Sequence, residues 1–313
     1  MFSYIVRRIT SAIPVVFLVA VIAFMLIRMA SGNPAVVFLG PGATDVDIAQ
    51  ITEQLGLDQP LVVQFSIWIS NLLRGDMGRS FFLGRDVGTA ILERFPATLQ
   101  LTVSAFLFAI AIGIPAGVIA AVKHNTWADR GIMVFTLVGV SMPVFWLGLL
   151  LIWFFAVQLR WFPTGGYVPF FEDPLASLRY IILPGISLGT LHAALITRIT
   201  RASMLEVLRQ DYIRTARAKG LRERLIVFGH ALRNALIPTI TVIGASLGAL
   251  LSGVVIIETV FTYPGVGRLV VQAVQQRDYN VVQGALLVVA MLYVIVNLLV
   301  DITYSLVDPR IRY

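Results

Sequence analysis

RITRASMLEVLRQDYIRTARAKGLRERLIVFGHALRNALIP, residues 198–238, is the most basic stretch of the sequence and lies between two strongly apolar runs. It carries nine Lys or Arg (Arg198, Arg201, Arg209, Arg214, Arg217, Lys219, Arg222, Arg224, Arg233) against three acids, Glu206, Asp211 and Glu223. Gly220 sits near its middle, with a helical pattern before it and another after it. Glycine at a helix C-terminus adopts the left-handed conformation that turns a chain sharply. The spacing therefore predicts a helix–Gly–helix unit.

The surrounding composition is that of a membrane protein. Of 313 residues, 58% are hydrophobic and 13% charged, where a soluble domain carries about 25% charged residues. The net charge of +7 fits basic residues gathered on cytoplasmic loops rather than a nucleic-acid surface. The absence of cysteine excludes disulfides, cysteine nucleophiles and thiolate metal sites. The first apolar run has no small-residue cleavage site and is expected to stay as an anchor.

Six intervals free of charge are long enough to cross a bilayer. They lie between Arg8 and Arg28, Arg94 and Lys123, Arg130 and Arg160, Arg179 and Arg198, Arg233 and Glu258, and Asp278 and Asp301. The expected fold is an all-α polytopic membrane protein of six transmembrane helices. The Lys/Arg bias places the 198–238 segment in the cytoplasm. An even number of spans then puts both termini there too, with Arg7 and Arg8 at one end and Arg310 and Arg312 at the other. The link from Lys123 to Arg130 is also inside. Residues 32–94 hold seven acids against four basic residues, which suits the outer side. The domain reading is a tail and first span (1–31), an outer loop with short helices (32–94), a five-span core (95–306, with the basic segment at 198–236) and a tail (307–313).

The outer loop reads as structured. Thr44-Asp-Val-Asp47 resembles a capping start, and Gly56 is expected to stop that helix. Asp58 and Pro60 start a second helix, in which Val62, Phe65, Ile69, Leu72 and Leu73 recur at helical spacing beside Trp68, and Gly75 ends it. That helix either lies along the outer membrane surface or packs on the bundle, with packing preferred. Asp86–Phe95 reads as a third short helix. In the spans, Ala105, Ala109, Gly113 and Gly117 share one face and read as a close helix crossing. Gly244, Gly248 and Ser252 share another and read as packing plus a candidate pore wall. Pro115, Pro143 and Pro184 are candidate kinks.

Ionisable residues inside the membrane are few: His192, Glu258 and Asp301, with Asn297 four residues before the last. They form no proton relay. His192 reads as a bonded packing residue, and Asn297 with Asp301 as interhelical bonding or a boundary anchor. The two lysines, Lys123 and Lys219, lie in no phosphate-binding loop, and the three histidines make no metal site. No catalytic centre assembles, so any ATP used must be hydrolysed by another chain.

Asp211-Tyr-Ile-Arg-Thr-Ala-Arg-Ala-Lys-Gly-Leu221, followed by His230-Ala-Leu-Arg-Asn-Ala235, resembles the coupling loop of ABC-importer permeases. The branch it resembles imports dipeptides, oligopeptides, nickel and glutathione, and the chain is similar to that branch's B-type dipeptide-permease subunit. Aligned on Gly220, the general permease signature has Glu and Ala where this chain has Arg214 and Thr215, and Ala216 matches. His230, Leu232 and Arg233 stand where the signature has Ile, Leu and Pro. Tyr4-Ile-Val-Arg-Arg8, Leu55-Gly-Leu-Asp-Gln-Pro60, Gly75-Asp-Met-Gly78, Arg94-Phe-Pro-Ala-Thr98, Tyr263-Pro-Gly-Val-Gly-Arg268, Arg277-Asp-Tyr279 and Asp308-Pro-Arg-Ile-Arg312 extend the resemblance over nearly the whole chain.

The resemblance implies the type I importer permease fold in a bacterial inner membrane, crossed several times. It also implies partners: a homologous second permease, two ATPases that bind ATP and Mg, and a periplasmic substrate-binding protein. It assigns Asp211, Arg214, Thr215, Ala216, Arg217, Lys219, Gly220 and Leu221 to ATPase coupling. It places Tyr263, Pro264, Gly265 and Arg268 on a loop facing the binding protein, where an ordinary fixed turn is the equal alternative. No cofactor, metal or nucleic acid is expected on this chain. The other reading of the basic segment is a loop on lipid headgroups. The expected function is a non-catalytic permease subunit for short peptides. The alternatives are the same class of importer for glutathione or nickel, and a stand-alone secondary transporter or channel.

Overall fold

The computed structural model describes residues 2–29, 44–54, 58–80 and 82–307. Gly56, the tail 308–313 with Arg310 and Arg312, and the side chains of Arg7 and Asp301 lie outside the described residues. The regular structure of the described residues is helical, apart from one isolated bridge between Arg79 and Asp86. Its helices are α1 (Phe2–Met29), α2 (Asp45–Gln54), α3 (Leu61–Leu73), α4 (Val87–Val122), α5 (Trp127–Ser141), α6 (Val144–Leu151), α7 (Pro174–Leu208), α8 (Asp211–Ala218), α9 (Leu232–Val260), α10 (Val266–Gln276) and α11 (Tyr279–Val307). A π-helical segment, Ile152–Gln158, extends α6, and another, Ile226–Ala231, leads into α9 after a turn at Glu223–Leu225.

Among the described residues four helices are long and apolar enough to cross a membrane: α4, α7, α9 with its lead-in, and α11. The α5–α6 pair makes a fifth if counted as one span, and α1 contains a shorter apolar stretch, Thr10–Met25. The interval between Arg130 and Arg160, expected to be one helix, is bent by 107° at Met142–Pro143. Proline drives the residue before it out of the helical region and brings no N–H of its own. Met142 accordingly has ψ 125°. Pro115 and Pro184, by contrast, lie inside continuous helices. Asp86–Phe95 is no separate helix either, because α4 runs unbroken from Val87 through Pro96 into the membrane span.

The bundle is organised around the crossing of α4 and α7. Two-thirds of the α7 apolar window is buried, 67% against 28–39% in the other three spans, which makes α7 the central helix. Ala105 and Ala109 are fully buried. A Cβ on Gly113 would stand 2.8 Å from Ile196, and one on Gly117 would stand 2.6 Å from Thr200. The small-residue face read from the sequence is therefore a close helix contact, in which backbone meets side chain because no Cβ intervenes. Gly117→Val is expected to destabilise the bundle by about 3 kcal/mol, the upper range for overpacking a close contact. Gly131→Ala, with open space around it, is the neutral control, and equal melting temperatures for the two variants would refute the assignment.

The first two outer-loop helices form where the pattern placed them. Ile48 N–H bonds the Thr44 carbonyl at 3.0 Å, starting α2. Helix α3 ends at Leu73, and Gly75 turns the chain at φ +85°. Phe65 and Trp68 of α3 pack on Phe24 of α1 with ring centroids 5.1 and 5.7 Å apart. Val62, Val63, Ile67 and Leu73 of α3 are exposed. Packing on the bundle is thus the observed arrangement for one face.

Candidate coupling site

The 198–238 segment folds as a small platform at one end of the bundle. Helix α7 ends at Leu208 and α8 starts at Asp211. Asp211 in the first turn and Arg217 in the last complement the helix dipole. Gly220 has φ +77°. Its N–H bonds the Arg217 carbonyl at 2.9 Å, and Leu221 N–H bonds the Ala216 carbonyl at 3.3 Å. These are the two bonds of a Schellman C-cap, which needs a left-handed residue where glycine stands. Arg217 then bridges the turn to Glu223 at 2.6 Å, and that carboxylate raises the Arg217 guanidinium above its ordinary value.

Two residues of α8 face inward. Ile213 and Ala216 are buried with Val118 and Ala121 of α4, Met204 of α7, and Ile226, Val227, Ala231 and Ala235 of the stretch entering α9. One apolar cluster thus joins the short helix to three long ones. Asp211, Arg214, Thr215, Arg217, Lys219, Gly220 and Leu221 are exposed. Ala216 is buried, so it anchors α8 rather than meeting a partner. The Arg214–Asp211 pair, 3.2 Å apart with side chains 72% and 93% exposed, adds little stability in water. The sequence reading missed an apolar component of this segment's exposed surface: Tyr212, Leu221, Leu225 and Phe228 are all exposed. Tyr212 is fixed there by Asn234, whose Nδ2 donates to its hydroxyl at 2.7 Å. Leu225 and Phe228 read in sequence as part of an apolar run. Only the folded structure shows that both are exposed while Ile226 and Val227 between them are buried.

At the other end, Tyr263-Pro-Gly-Val-Gly-Arg268 is folded inward. Glu258, fully buried near the end of α9, accepts from Thr98 Oγ1 at 2.6 Å and from Arg268 N–H at 2.9 Å. Thr98 Oγ1 in turn accepts from Val266 N–H at 2.8 Å. Gly265 packs directly on the Glu258 carboxylate. Tyr263 is fully buried against Tyr167, ring centroids 5.1 Å apart, and burial pushes its hydroxyl above the usual phenol range. The expectation that Tyr263 and Gly265 face a binding protein is therefore corrected, since buried residues closing round a carboxylate present no outer surface. Pro264 and Arg268 are half-buried, and Thr262 is exposed. Helix α10, which follows at once, was read only as a turn. Its signal was the apolar spacing of Val266, Leu269, Val270 and Ala273.

The candidate pore wall is also rearranged. Gly244 and Gly248 are buried, and a Cβ on Gly248 would lie 3.2 Å from Tyr293 and 3.4 Å from Asn297 Oδ1 of α11. Gly248 serves close packing between α9 and α11, with Asn297 turned toward α9. Ser252 is exposed, in line with Ala245, Ala249 and Ile256. His192 is buried, as a packing residue would be, but its Nδ1 has no hydrogen-bond partner. No group of acidic and histidine side chains that could hold a metal occurs among the described residues.

The family model described as the binding-protein-dependent transport system inner membrane component matches residues 113–313, and its N-terminal companion matches residues 1–102. The chain belongs to this family. It is an inner-membrane, multi-pass transport component, and the platform around Gly220 lies inside the matched region. A putative peptide transport system permease protein of Brucella abortus (strain 2308) is 47% identical over 313 residues, covering 100% of both chains. The dipeptide transport system permease protein DppB of Alkalihalophilus pseudofirmus is 43% identical over 333 residues, covering 100% of both. The glutathione transport system permease protein GsiC of Escherichia coli O6:H1 is 44% identical over 313 residues, again covering 100% of both. Among solved structures, a chain of the MetNI methionine ABC transporter in an inward-facing conformation matches at TM-score 0.58 and 20% identity, covering 70% of this chain and 96% of that one. That likeness extends to the fold.

Proposed function

We propose that the chain is the permease subunit of an ATP-driven importer of short peptides, taking substrate from a periplasmic binding protein. It pairs with a homologous second permease and with two ATPases, which hold the ATP and Mg. The observation that carries this reading is the platform: a capped eight-residue basic helix, exposed on one face and clamped by a single apolar cluster to α4, α7 and the start of α9. A partner that pushes or pulls on such a helix moves long helices, whereas a loose loop would absorb the motion. The peptide assignment is supported by the names of relatives that match over the full length.

Helix α1, 28 residues long, is the sixth span in this reading, and an even number puts both termini in the cytoplasm with the platform. The subunit performs no covalent chemistry. Its contribution is to switch, with its partner permease, between inward- and outward-facing states as the ATPases close and open. The exposed line of Ala245, Ala249, Ser252 and Ile256 on α9 replaces the buried glycines as the face toward the pore or the second permease.

Co-purification and reconstitution test this. The tagged chain is expected to bring down an ATPase subunit, and proteoliposomes holding the complex and its binding protein are expected to take up labelled dipeptide only with internal ATP. Competition with glutathione and with nickel decides among the substrates of this class. Uptake that persists without ATP would refute the reading.

A further inference from the structure

Among the described residues one ion pair joins a buried carboxylate, engaged through both oxygens, to a half-buried arginine, and it lies beside the platform rather than in it. Asp129, in the first turn of α5, has a side chain 4% exposed. Its Oδ1 accepts from Arg201 Nε at 2.6 Å, and its Oδ2 accepts from Arg201 Nη2 at 2.8 Å and from Asn125 N–H at 3.0 Å. His124 Nδ1 lies 3.3 Å from the same oxygen. The turn between α4 and α5 is shaped to this carboxylate, with Asn125 at φ +62°, a conformation that asparagine tolerates better than most residues. The fork of Arg201 meets the carboxylate at two points, so it fixes an orientation as well as a distance.

The place of this pair in the fold gives it a task. Arg201 is on α7, three residues before Met204, which packs on the platform helix. Asp129 is on α5, no residue of which belongs to the platform cluster. Higher up, α5 meets α7 where Gly139 faces Thr190. We infer that Asp129 and Arg201 are positioning residues for energy coupling: they fasten the broken span α5–α6 to α7, so that movement of α8 drives it together with α4, α7 and α9. The inference rests on the coupling role proposed for α8. A single-charge loss should therefore leave the assembly intact and let ATP be spent without moving α5–α6.

The test uses the whole complex in proteoliposomes and reads ATP hydrolysed per dipeptide imported, with Gly220→Val as the reference for the platform itself. Asp129→Asn and Arg201→Gln are each expected to raise that ratio about fivefold, the low end of typical coupling energies, with normal recovery of the ATPase. Because the chain has no cysteine, Asp129→Cys with Arg201→Cys can be joined by a short bifunctional thiol reagent, and joining is expected to lower the ratio. If Asp129→Asn fails to accumulate, Arg201→Lys, which keeps the charge but loses the two-point contact, carries the test with an expected rise. A raised ratio in Gly220→Val together with an unchanged one in the Asp129 and Arg201 variants overturns this inference alone. An unchanged ratio in all of them, Gly220→Val included, overturns the coupling role and the inference with it.

Discussion

Gly220→Val is expected to reduce ATP-driven uptake by the reconstituted complex at least about tenfold, while Gly220→Asn retains most of it. The backbone at Gly220 has φ +77°, and no atom lies within 4 Å of where a Cβ would stand. Space is therefore not the obstacle, and the penalty belongs to the backbone alone. A β-branched residue held at positive φ costs about 1–3 kcal/mol, and 1.4 kcal/mol is already tenfold in an equilibrium. The strained turn relaxes by giving up the two capping bonds to Arg217 and Ala216. The Arg217–Glu223 bridge across the turn is expected to go with them. Helix α8 is then no longer held at a fixed angle to the rest of the platform. Asparagine enters the left-handed region far more readily, so it separates the effect of conformation from that of removing glycine. ATPase activity that still responds to the loaded binding protein in Gly220→Val, with normal uptake, would show that this turn transmits nothing.

Gly265→Ala is expected to lower the melting temperature of the detergent-purified chain by about 5–10 °C, from about 3 kcal/mol of overpacking. The added methyl would fall on the Glu258 carboxylate, which cannot swing away without leaving Thr98 Oγ1 and the Arg268 N–H unpaired. Buried polar groups without partners are themselves costly, so the site has no inexpensive way to relax. Gly88→Ala, with open space around it, is the matched control. Combining Gly265→Ala with Glu258→Ala should cost less than the sum of the two single changes, because both act on one contact. Strict additivity, or a melt like that of Gly88→Ala, would remove Glu258 from its place at the centre of this corner.

Much of the architecture was legible in the residues because the membrane imposes simple rules. Charge is excluded from long intervals, so counting them located the four long apolar helices. The face of Ala105, Ala109, Gly113 and Gly117 was readable as a close crossing, because helical spacing alone puts four small residues in line. Gly220 was readable because a C-terminal glycine has few other uses. What failed did so for identifiable reasons. The Met142–Pro143 break reads in sequence only as a kink, since a proline in a membrane helix is compatible with anything from an unbroken helix, as at Pro115 and Pro184, to the observed 107° bend. Gly248 falls on the expected pore wall because one helix's periodicity does not say which neighbour its small face meets, and here the neighbour is Tyr293. Tyr263 and Gly265 were set on an outer surface because an aromatic-Pro-Gly run between apolar segments reads as an exposed turn unless the buried acid it wraps is known.

Hydropathy and local backbone chemistry, then, are enough to establish a helical membrane component and the turn at Gly220, because both depend on residues close together in the chain. Three features came from the packed structure alone: the inward fold around Glu258, the apolar cluster beneath α8, and the Asp129–Arg201 pair. Each brings together groups 160, 72 or similarly many positions apart, and partners that distant leave no period or spacing in the sequence. Which apolar neighbour a small face meets, and which buried charge a distant arginine answers, is decided only when the helices close on one another.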